Sequence, residues 1–107
     1  MDVAWSDSAW DDLQAIVLYI ARDWWSYADD FGGALHDKGG SLATYPERGR
    51  IVPELADPMN RELFHHPYRI LYRLEPERVI MIAAIHGSRD LSALWHREGR
   101  GDPHSIT

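Results

Sequence analysis

Five basic side chains in the second half of the chain have the types and spacing needed to hold a phosphate or a carboxylate. Arg61, Arg69, Arg73, His86 and Arg89 lie within or just beyond three runs of strand length. An antiparallel meander can bring such distant residues onto one face. Arginine suits forked hydrogen bonding to these anions, and histidine can move a proton near neutral pH. We therefore expect the function to lie here.

The three runs themselves predict neighbouring strands. A first run begins at Arg61, and in the second, residues 68–74, aromatic and aliphatic side chains alternate with Arg69, Leu71 and Arg73. This period of two places the two sets on opposite faces of a strand. Residues 79–85 are almost wholly apolar, as is typical of a central strand covered on both faces. Residues 75–78 form the hairpin connection between the last two runs.

The first half of the chain predicts a short strand and two helices. Residues 3–5 are apolar, Ser6 supplies a helix cap, and an apolar stripe with helical spacing then continues to about Trp25. A second stripe predicts a helix over residues 27–43, although Gly32 and Gly33 within it either allow close approach to the first helix or mark a break. Prolines punctuate the following loop, in which residues 50–52 form a brief extended segment.

This order of elements predicts an α+β fold. A short N-terminal strand and a helical hairpin would pack on a small, mainly antiparallel twisted sheet. At 107 residues the chain is expected to form one domain over residues 1–98, followed by a polar C-terminal tail over residues 99–107. We found neither a signal sequence nor an apolar run of membrane-spanning length, so a cytoplasmic location is expected.

Charge divides unevenly between the two halves and restricts the partners. Residues 1–60 carry four basic and eleven acidic side chains, whereas residues 61–107 carry seven basic and six acidic ones together with five of the six histidines. A formal net charge of −6 argues against binding driven by many phosphate contacts. Only a local basic site in the second half fits these numbers.

The same residues give no sign of a metal or a cofactor. The chain has no cysteine. His65 and His66 are adjacent, so on a strand they point to opposite faces and do not share one ion. The glycine pairs do not follow a strand and lack the Lys-Ser/Thr of a phosphate loop. We therefore expect neither a metal site nor a bound cofactor.

The ordered set of short motifs resembles the RelE/ParE superfamily of type II toxins over about residues 3–95. The resemblance rests on Trp5-Ser6 before a helix containing Ala9, Leu13 and Tyr19-Ile20, and on Pro46-x-x-Gly49-Arg50, Val52-Pro53-Glu54-Leu55, Arg61-Glu62-Leu63, Tyr68-Arg69-Ile70-x-Tyr72-Arg73 and His86-x-x-Arg89-Asp90-Leu91. It implies a small toxin that a cognate antitoxin holds inactive in a heteromeric complex. The antitoxin's C-terminal segment would wrap the toxin with an added helix or strand. Self-association through exposed aromatics is an alternative when the antitoxin is absent.

The resemblance leaves two activities open. RelE-like members cut messenger RNA on the ribosome. Arg69 and Arg89 match the arginines of that pattern and His86 could move a proton, so these three residues are the catalytic set expected if the chain is RelE-like. However, Trp95 stands where many of them have a tyrosine, and only Arg48 and Arg50 replace the usual lysines. ParE-like members inhibit DNA gyrase without a recognised catalytic set, cause growth arrest and serve in plasmid stabilisation. The motifs favour this ParE-like branch. A non-toxic antitoxin-binding module of the same fold is the third hypothesis.

A partner surface is expected on the helical hairpin. Trp10, Trp24, Trp25 and Tyr27 exceed what one core face requires, although two of them are expected in the core and two half exposed. Together with Arg61 and Arg73 they form the predicted partner-binding set. The arginines also have a structural interpretation, because Arg69 and Arg73 could pair with Glu54, Glu62 or Asp90. Arg50 and Arg61 could likewise hold the long loop down through ion pairs.

Overall fold

The N-terminal strand leads directly into two helices. A computed structural model describes residues 1–98, so the predicted tail lies outside the described residues. Strand β1 (Asp2–Trp5) precedes helix α1 (Asp7–Ala21), helix α2 (Trp25–Gly40) and a short 3₁₀ turn (Ser41–Ala43). Ser6 caps α1 as predicted, with its side-chain oxygen accepting a hydrogen bond from the Ala9 N–H at 3.1 Å.

The first helix ends earlier than the apolar stripe predicts. The N–H groups of Asp23 and Trp24 both donate to the Ile20 carbonyl, and Trp24 has a non-helical backbone with φ −153° and ψ 86°. The chain therefore turns within residues 22–24, and α2 starts at Trp25. The spacing from Ile20 to Trp24 is helical, but the Trp24 side chain is not buried, so the stripe overestimates the helix by four residues.

The second half of the chain forms the predicted meander within a five-stranded sheet. Strands β2 (Arg50–Ile51), β3 (Asn60–His65), β4 (Tyr68–Leu74) and β5 (Arg78–His86) stand in the order β1-β5-β4-β3-β2. β1 runs parallel to β5, and all other neighbours are antiparallel. The α+β class, the brief segment near residue 50 and the mainly antiparallel sheet are thus confirmed.

The sheet separates two apolar clusters. On one face the helical hairpin packs over Leu63, Ile70 and Tyr72, with Leu13 and Leu35 among the buried helix residues. The opposite face carries Val52, Leu71, Ile80, Ile82 and other buried residues beneath a third helix. β5 is buried on both faces from Val79 to Ile85, as its apolar sequence predicts.

The third helix, α3 (Leu91–Glu98), was missed by the sequence prediction. It is only eight residues long, and its apolar residues Leu91, Leu94 and Trp95 give one turn of helical spacing. The Asp90 carboxylate accepts a hydrogen bond from the Ala93 N–H at 3.1 Å, which caps the helix. Burial of its three apolar side chains under the sheet stabilises a helix too short to persist alone.

Gly32 allows the two helices of the hairpin to approach closely. A Cβ atom at residue 32 would lie 2.6 Å from Val17 Cγ2, whereas one at residue 33 would meet nothing within 4 Å. The Val17 side chain has restricted rotation about χ1, so moving it aside would cost free energy. The close approach considered in the sequence analysis is therefore real, and Gly32 and Gly33 do not mark a break.

Alanine at these two adjacent positions should have opposite effects on stability. We expect Gly32→Ala to lower the free energy of unfolding by about 1–3 kcal/mol through overpacking against Val17. Gly33→Ala should raise it by up to about 1 kcal/mol, because alanine is the better helix former and has room. Urea unfolding of both variants measures the difference. Equal effects would show that the helices are not in contact at Gly32.

Candidate functional site

Arg69 lies at the centre of a buried ionic network on the face that carries α3. Its Nε donates to Glu62 Oε1 at 2.5 Å and its Nη2 to Glu62 Oε2 at 3.1 Å. Its Nη1 and Nη2 groups also donate hydrogen bonds to the two carboxylate oxygens of Glu54, at 2.7 and 2.9 Å. Glu62 has no exposed side-chain surface, and Arg69 is itself buried. One guanidinium thus pairs with two carboxylates and ties the loop carrying Glu54 to the sheet.

The sheet register explains why these groups meet. Arg69 stands opposite Phe64 on the β3–β4 ladder, Glu62 lies opposite Leu71, and Arg50 lies opposite Glu62 on the β2–β3 ladder. Arg50 Nε donates to Glu62 Oε2 at 2.8 Å, while its guanidinium carbon lies 4.8 Å from the Phe64 ring centroid. The charged network continues from the buried pair to an exposed arginine resting on an exposed aromatic ring.

The network shifts the pKa values of Glu54 and Arg69. Hydrogen bonding from Arg69 is the main cause that lowers the pKa of the Glu54 carboxyl, against an opposing effect of burial. The same two glutamates raise the pKa of Arg69 above its already high ordinary value. Arg69 therefore stays charged and paired at every physiological pH.

The other predicted arginines of the sheet also hold a loop. Arg61 Nη1 donates to the carbonyl oxygens of Gly49 and Glu47 at 3.1 and 3.4 Å. Arg73 Nη1 bonds Asp57 Oδ2 and Asn60 Oδ1, each at 3.1 Å. Both residues thus have a structural role, but Arg61 bonds backbone carbonyls where an ion pair was expected, and Arg73 pairs with Asp57, which was not among its expected partners. Their predicted role in partner binding stays a prediction.

His86 and Arg89 lie at a separate place, at the end of β5. The Ser88 N–H donates to His86 Nδ1 at 3.1 Å, and the Ser88 hydroxyl lies 2.7 Å from the same atom. His86 also makes an edge contact with the Tyr68 ring at 5.6 Å between centroids. Burial, with a smaller contribution from Tyr19, raises the pKa of the Tyr68 phenol, which therefore remains a protonated donor.

These contacts do not bring the three residues of the predicted catalytic set together at one site. His86 and Arg69 both border one shallow pocket of about 410 Å³, but the Arg69 guanidinium points its donors at carboxylates. His86 and Arg89 border a second cleft. Trp95, at the position of the missing tyrosine, is buried beneath the sheet. The geometry offers no free Arg69 cation for a developing negative charge on phosphorus.

The four predicted aromatic residues are all exposed, by 44% for Trp10, 63% for Trp24, 70% for Trp25 and 45% for Tyr27. The expectation that two of them belong to the core is therefore wrong. Trp24 and Tyr27 have ring centroids 5.0 Å apart at the turn between the helices. Trp10 lies elsewhere, packed edge-on against Trp5 and His36 at 6.2 Å from each.

A groove along the hairpin runs past Trp10. It has a volume of about 380 Å³ and is lined mainly by Trp10, Leu13, Val17, Leu18 and the two adjacent glycines of α2. Asp29 lines the groove, and Asp11, Asp30 and Asp37 are also exposed on the same two helices. The hairpin thus presents apolar rings on an acidic background.

The residues that the structure describes give two further findings. None of the helices within residues 1–98 is long and apolar enough to cross a membrane. That same part of the chain contains no group of three or more His, Cys, Asp or Glu side chains placed to hold a metal ion.

The arrangement of a helical hairpin on a curled antiparallel sheet with a parallel N-terminal edge strand is the RelE/ParE-like fold. A chain described as "Chromosomal ParDE TA system from P. aeruginosa" has this fold, with a TM-score of 0.69 and 18% sequence identity, over 80% of this chain and 95% of that chain. No relative is found among curated proteins. Residues 3–91 match the family described as ParE toxin of type II toxin-antitoxin system, parDE. The chain therefore belongs to the ParE toxin family.

Proposed function

We propose that this protein inhibits DNA gyrase, that a cognate antitoxin neutralises it, and that it acts in the cytoplasm. Membership of the ParE toxin family supports the class of system. Growth arrest and plasmid stabilisation would follow from gyrase inhibition released whenever the antitoxin is lost. The proposed complex is heteromeric, with the antitoxin on the exposed aromatic face of the hairpin.

The observation that favours gyrase over messenger RNA is the burial of Arg69 between Glu54 and Glu62. Cleavage of RNA by attack of the 2′-hydroxyl needs cations at the phosphate and a proton carrier. Here Arg69 is neutralised, Trp95 is buried, and the lone pair of His86 Nδ1 accepts the Ser88 N–H. A toxin that works by binding a protein target requires none of these groups to be free.

We expect the purified protein to block supercoiling of relaxed plasmid by gyrase and to accumulate cleaved DNA. Preincubation with the product of the neighbouring reading frame should restore supercoiling, which controls for contaminating nuclease. Growth after induction without that partner tests toxicity in the cell.

Three outcomes separate the hypotheses. Inhibited supercoiling with growth arrest supports the proposal. Normal supercoiling at excess protein, together with messenger cleavage in a translating extract, would replace it with the RelE-like alternative. Normal growth on induction and normal supercoiling would leave an antitoxin-binding module without toxicity, a reading that the net charge of −6 favours.

A further inference from the structure

Arg50 is held in one orientation from two sides and yet stays exposed. Its Nε donates to Glu62 Oε2 at 2.8 Å, and its guanidinium carbon lies 4.8 Å from the Phe64 ring centroid. Both Nη groups are left without a hydrogen bond to any residue that the structure describes, and 56% of the Arg50 side chain is exposed. A guanidinium fixed in this way loses little further freedom on binding a partner.

The buried Glu62 carboxylate has a donor on each oxygen without Arg50. Arg69 Nε donates to Glu62 Oε1 and Arg69 Nη2 to Glu62 Oε2, and both hydrogen bonds are buried. The bond from Arg50 is a second one on Oε2, and it comes from an exposed group that solvent screens. Holding the fold therefore explains Arg69, whereas it leaves the forked Nη edge of Arg50 without a role.

Arg50 and Phe64 form one wall of the shallow pocket of about 410 Å³, whose other walls include two exposed histidines, His66 and His86. In the described part of the chain no acidic side chain lines this pocket, whereas Asp29 lines the groove on the hairpin. The chain as a whole has a net charge of −6. This pocket thus has a local composition, unlike that of the rest of the molecule, that suits a carboxylate.

Phe64 adds an apolar part to the same site. Its side chain is 50% exposed and lies opposite Arg69 on the β3–β4 ladder, so it projects from the sheet face that carries α3. The helical hairpin covers the other face. Arginine and aromatic side chains are enriched in protein interfaces. The site therefore has the residue types of an interface and lies away from the surface proposed for the antitoxin.

We propose that this pocket belongs to the surface that contacts gyrase, and that it binds an acidic side chain of gyrase on Arg50 and an apolar neighbour on Phe64. This contact rests on the proposed function and adds to it the residues with which the toxin recognises its target. Glu54 and Glu62 balance the charges of Arg50 and Arg69, so the site suits one carboxylate better than a polyanion. Nucleic acid fits less well, because its binding requires a row of cations facing phosphates.

The test compares Arg50→Gln with Arg78→Gln. Both arginines donate from Nε to a glutamate at 2.8 Å, and their side chains are 56% and 48% exposed, but Arg78 lies on β5, three strands away from β2. We measure the concentration of each purified variant that halves supercoiling by gyrase. Arg50→Gln should raise this concentration about tenfold or more, and Arg78→Gln should change it by less than about twofold.

Two further variants separate binding from folding. Phe64→Ala leaves the ionic network untouched and removes a half-exposed ring, so it should fold normally and weaken inhibition about fivefold or more. Arg50→Lys keeps the charge but loses the fork, and it should weaken inhibition as well. Urea unfolding checks the stability of each variant. Titration with the antitoxin from the neighbouring frame should give the wild-type affinity for all of them, which a general folding defect would not.

A cross-link identifies the contacted segment of gyrase. A photoreactive phenylalanine analogue at residue 66 should label gyrase in a stretch that contains Asp or Glu. Label in a stretch without an acidic residue would overturn the inference while the proposed function stands. Wild-type inhibition by both Arg50→Gln and Phe64→Ala would do the same.

The remaining outcomes assign the pocket to another partner or remove its target. Loss of antitoxin affinity in these variants, with unchanged inhibition, would make the pocket an antitoxin site. Arg50-dependent binding of a duplex DNA probe in the absence of gyrase would make it a nucleic-acid site. If the wild type itself leaves supercoiling unaffected, the proposed function and this contact both fall.

Discussion

Replacing Arg69 by methionine should lower the free energy of unfolding by about 3–5 kcal/mol, because the variant leaves a buried carboxylate without its main partner. Glu62 has no exposed side-chain surface, and Arg69 provides two of its three ionic hydrogen bonds. The remaining bond comes from Arg50, whose side chain is 56% exposed and is therefore screened by solvent. Glu54 would lose its bidentate contact at the same time, releasing the loop before β3. Urea unfolding monitored by tryptophan fluorescence measures the change.

The double variant Arg69→Met, Glu62→Met distinguishes an unpaired charge from a packing defect. It should recover most of the lost stability, since apolar residues of similar size often replace a buried ion pair at little cost. Arg78→Met serves as the matched control, because its pair with Glu75 is largely exposed and contributes about 0–1 kcal/mol. A loss of less than about 1 kcal/mol for Arg69→Met would mean that the network does not hold the loop to the sheet. In that case Arg69 would again be a candidate for chemistry.

The sequence predicted the strands well because their patterns are governed by burial. The alternation from Tyr68 to Leu74 places Ile70 and Tyr72 under the helices and Leu71 under α3, and the apolar run of β5 is covered on both faces. Such patterns indicate directly which side chains are buried on each face of the sheet. The parallel pairing of β1 with β5 was not predicted, since four residues carry no signal of strand direction.

Other features depend on tertiary contacts that no local pattern encodes. The alternation of side chains places Arg69 and Glu62 on one face of the sheet, and their pairing was among the alternatives considered. The alternation does not show that the loop folds back and brings Glu54 to Arg69. The hydrogen bond from the Ala84 N–H to Asp12 joins residues 72 positions apart. Hydrophobic spacing also assigned Trp24 to the core stripe of α1, whereas the turn at residues 22–24 leaves it in solvent.

The acidic character of the hairpin gives the proposed partner a definite chemistry. Exposed aspartates and exposed aromatic residues both lie on α1 and α2, so a helix that docks on the hairpin, as proposed, should be apolar on one side and carry lysine or arginine at its borders. If the antitoxin docks there, as proposed, the net negative charge of the chain would contribute to antitoxin recognition. The same charge favours rapid association with a basic partner at low salt.

Alanine at both Trp24 and Trp25 should abolish most of the antitoxin affinity. Large exposed aromatic residues are the commonest dominant contributors to protein interfaces, and each truncation at such a position costs about 2 kcal/mol or more, or roughly thirtyfold in affinity. The free toxin should keep its stability, because both side chains are mostly in solvent before binding. Isothermal titration of the antitoxin into each variant measures the effect.

Tyr45→Ala is the control for this prediction, because Tyr45 is 67% exposed but lies beyond the 3₁₀ turn, away from the hairpin turn that carries Trp24 and Trp25. It should bind the antitoxin as the wild type does. Unchanged affinity of the Trp24→Ala, Trp25→Ala double variant would show that the antitoxin does not bind at the hairpin turn. The groove along α1 and α2, tested with Leu18→Glu, would then be the next surface to examine, because Leu18 is exposed and lines it.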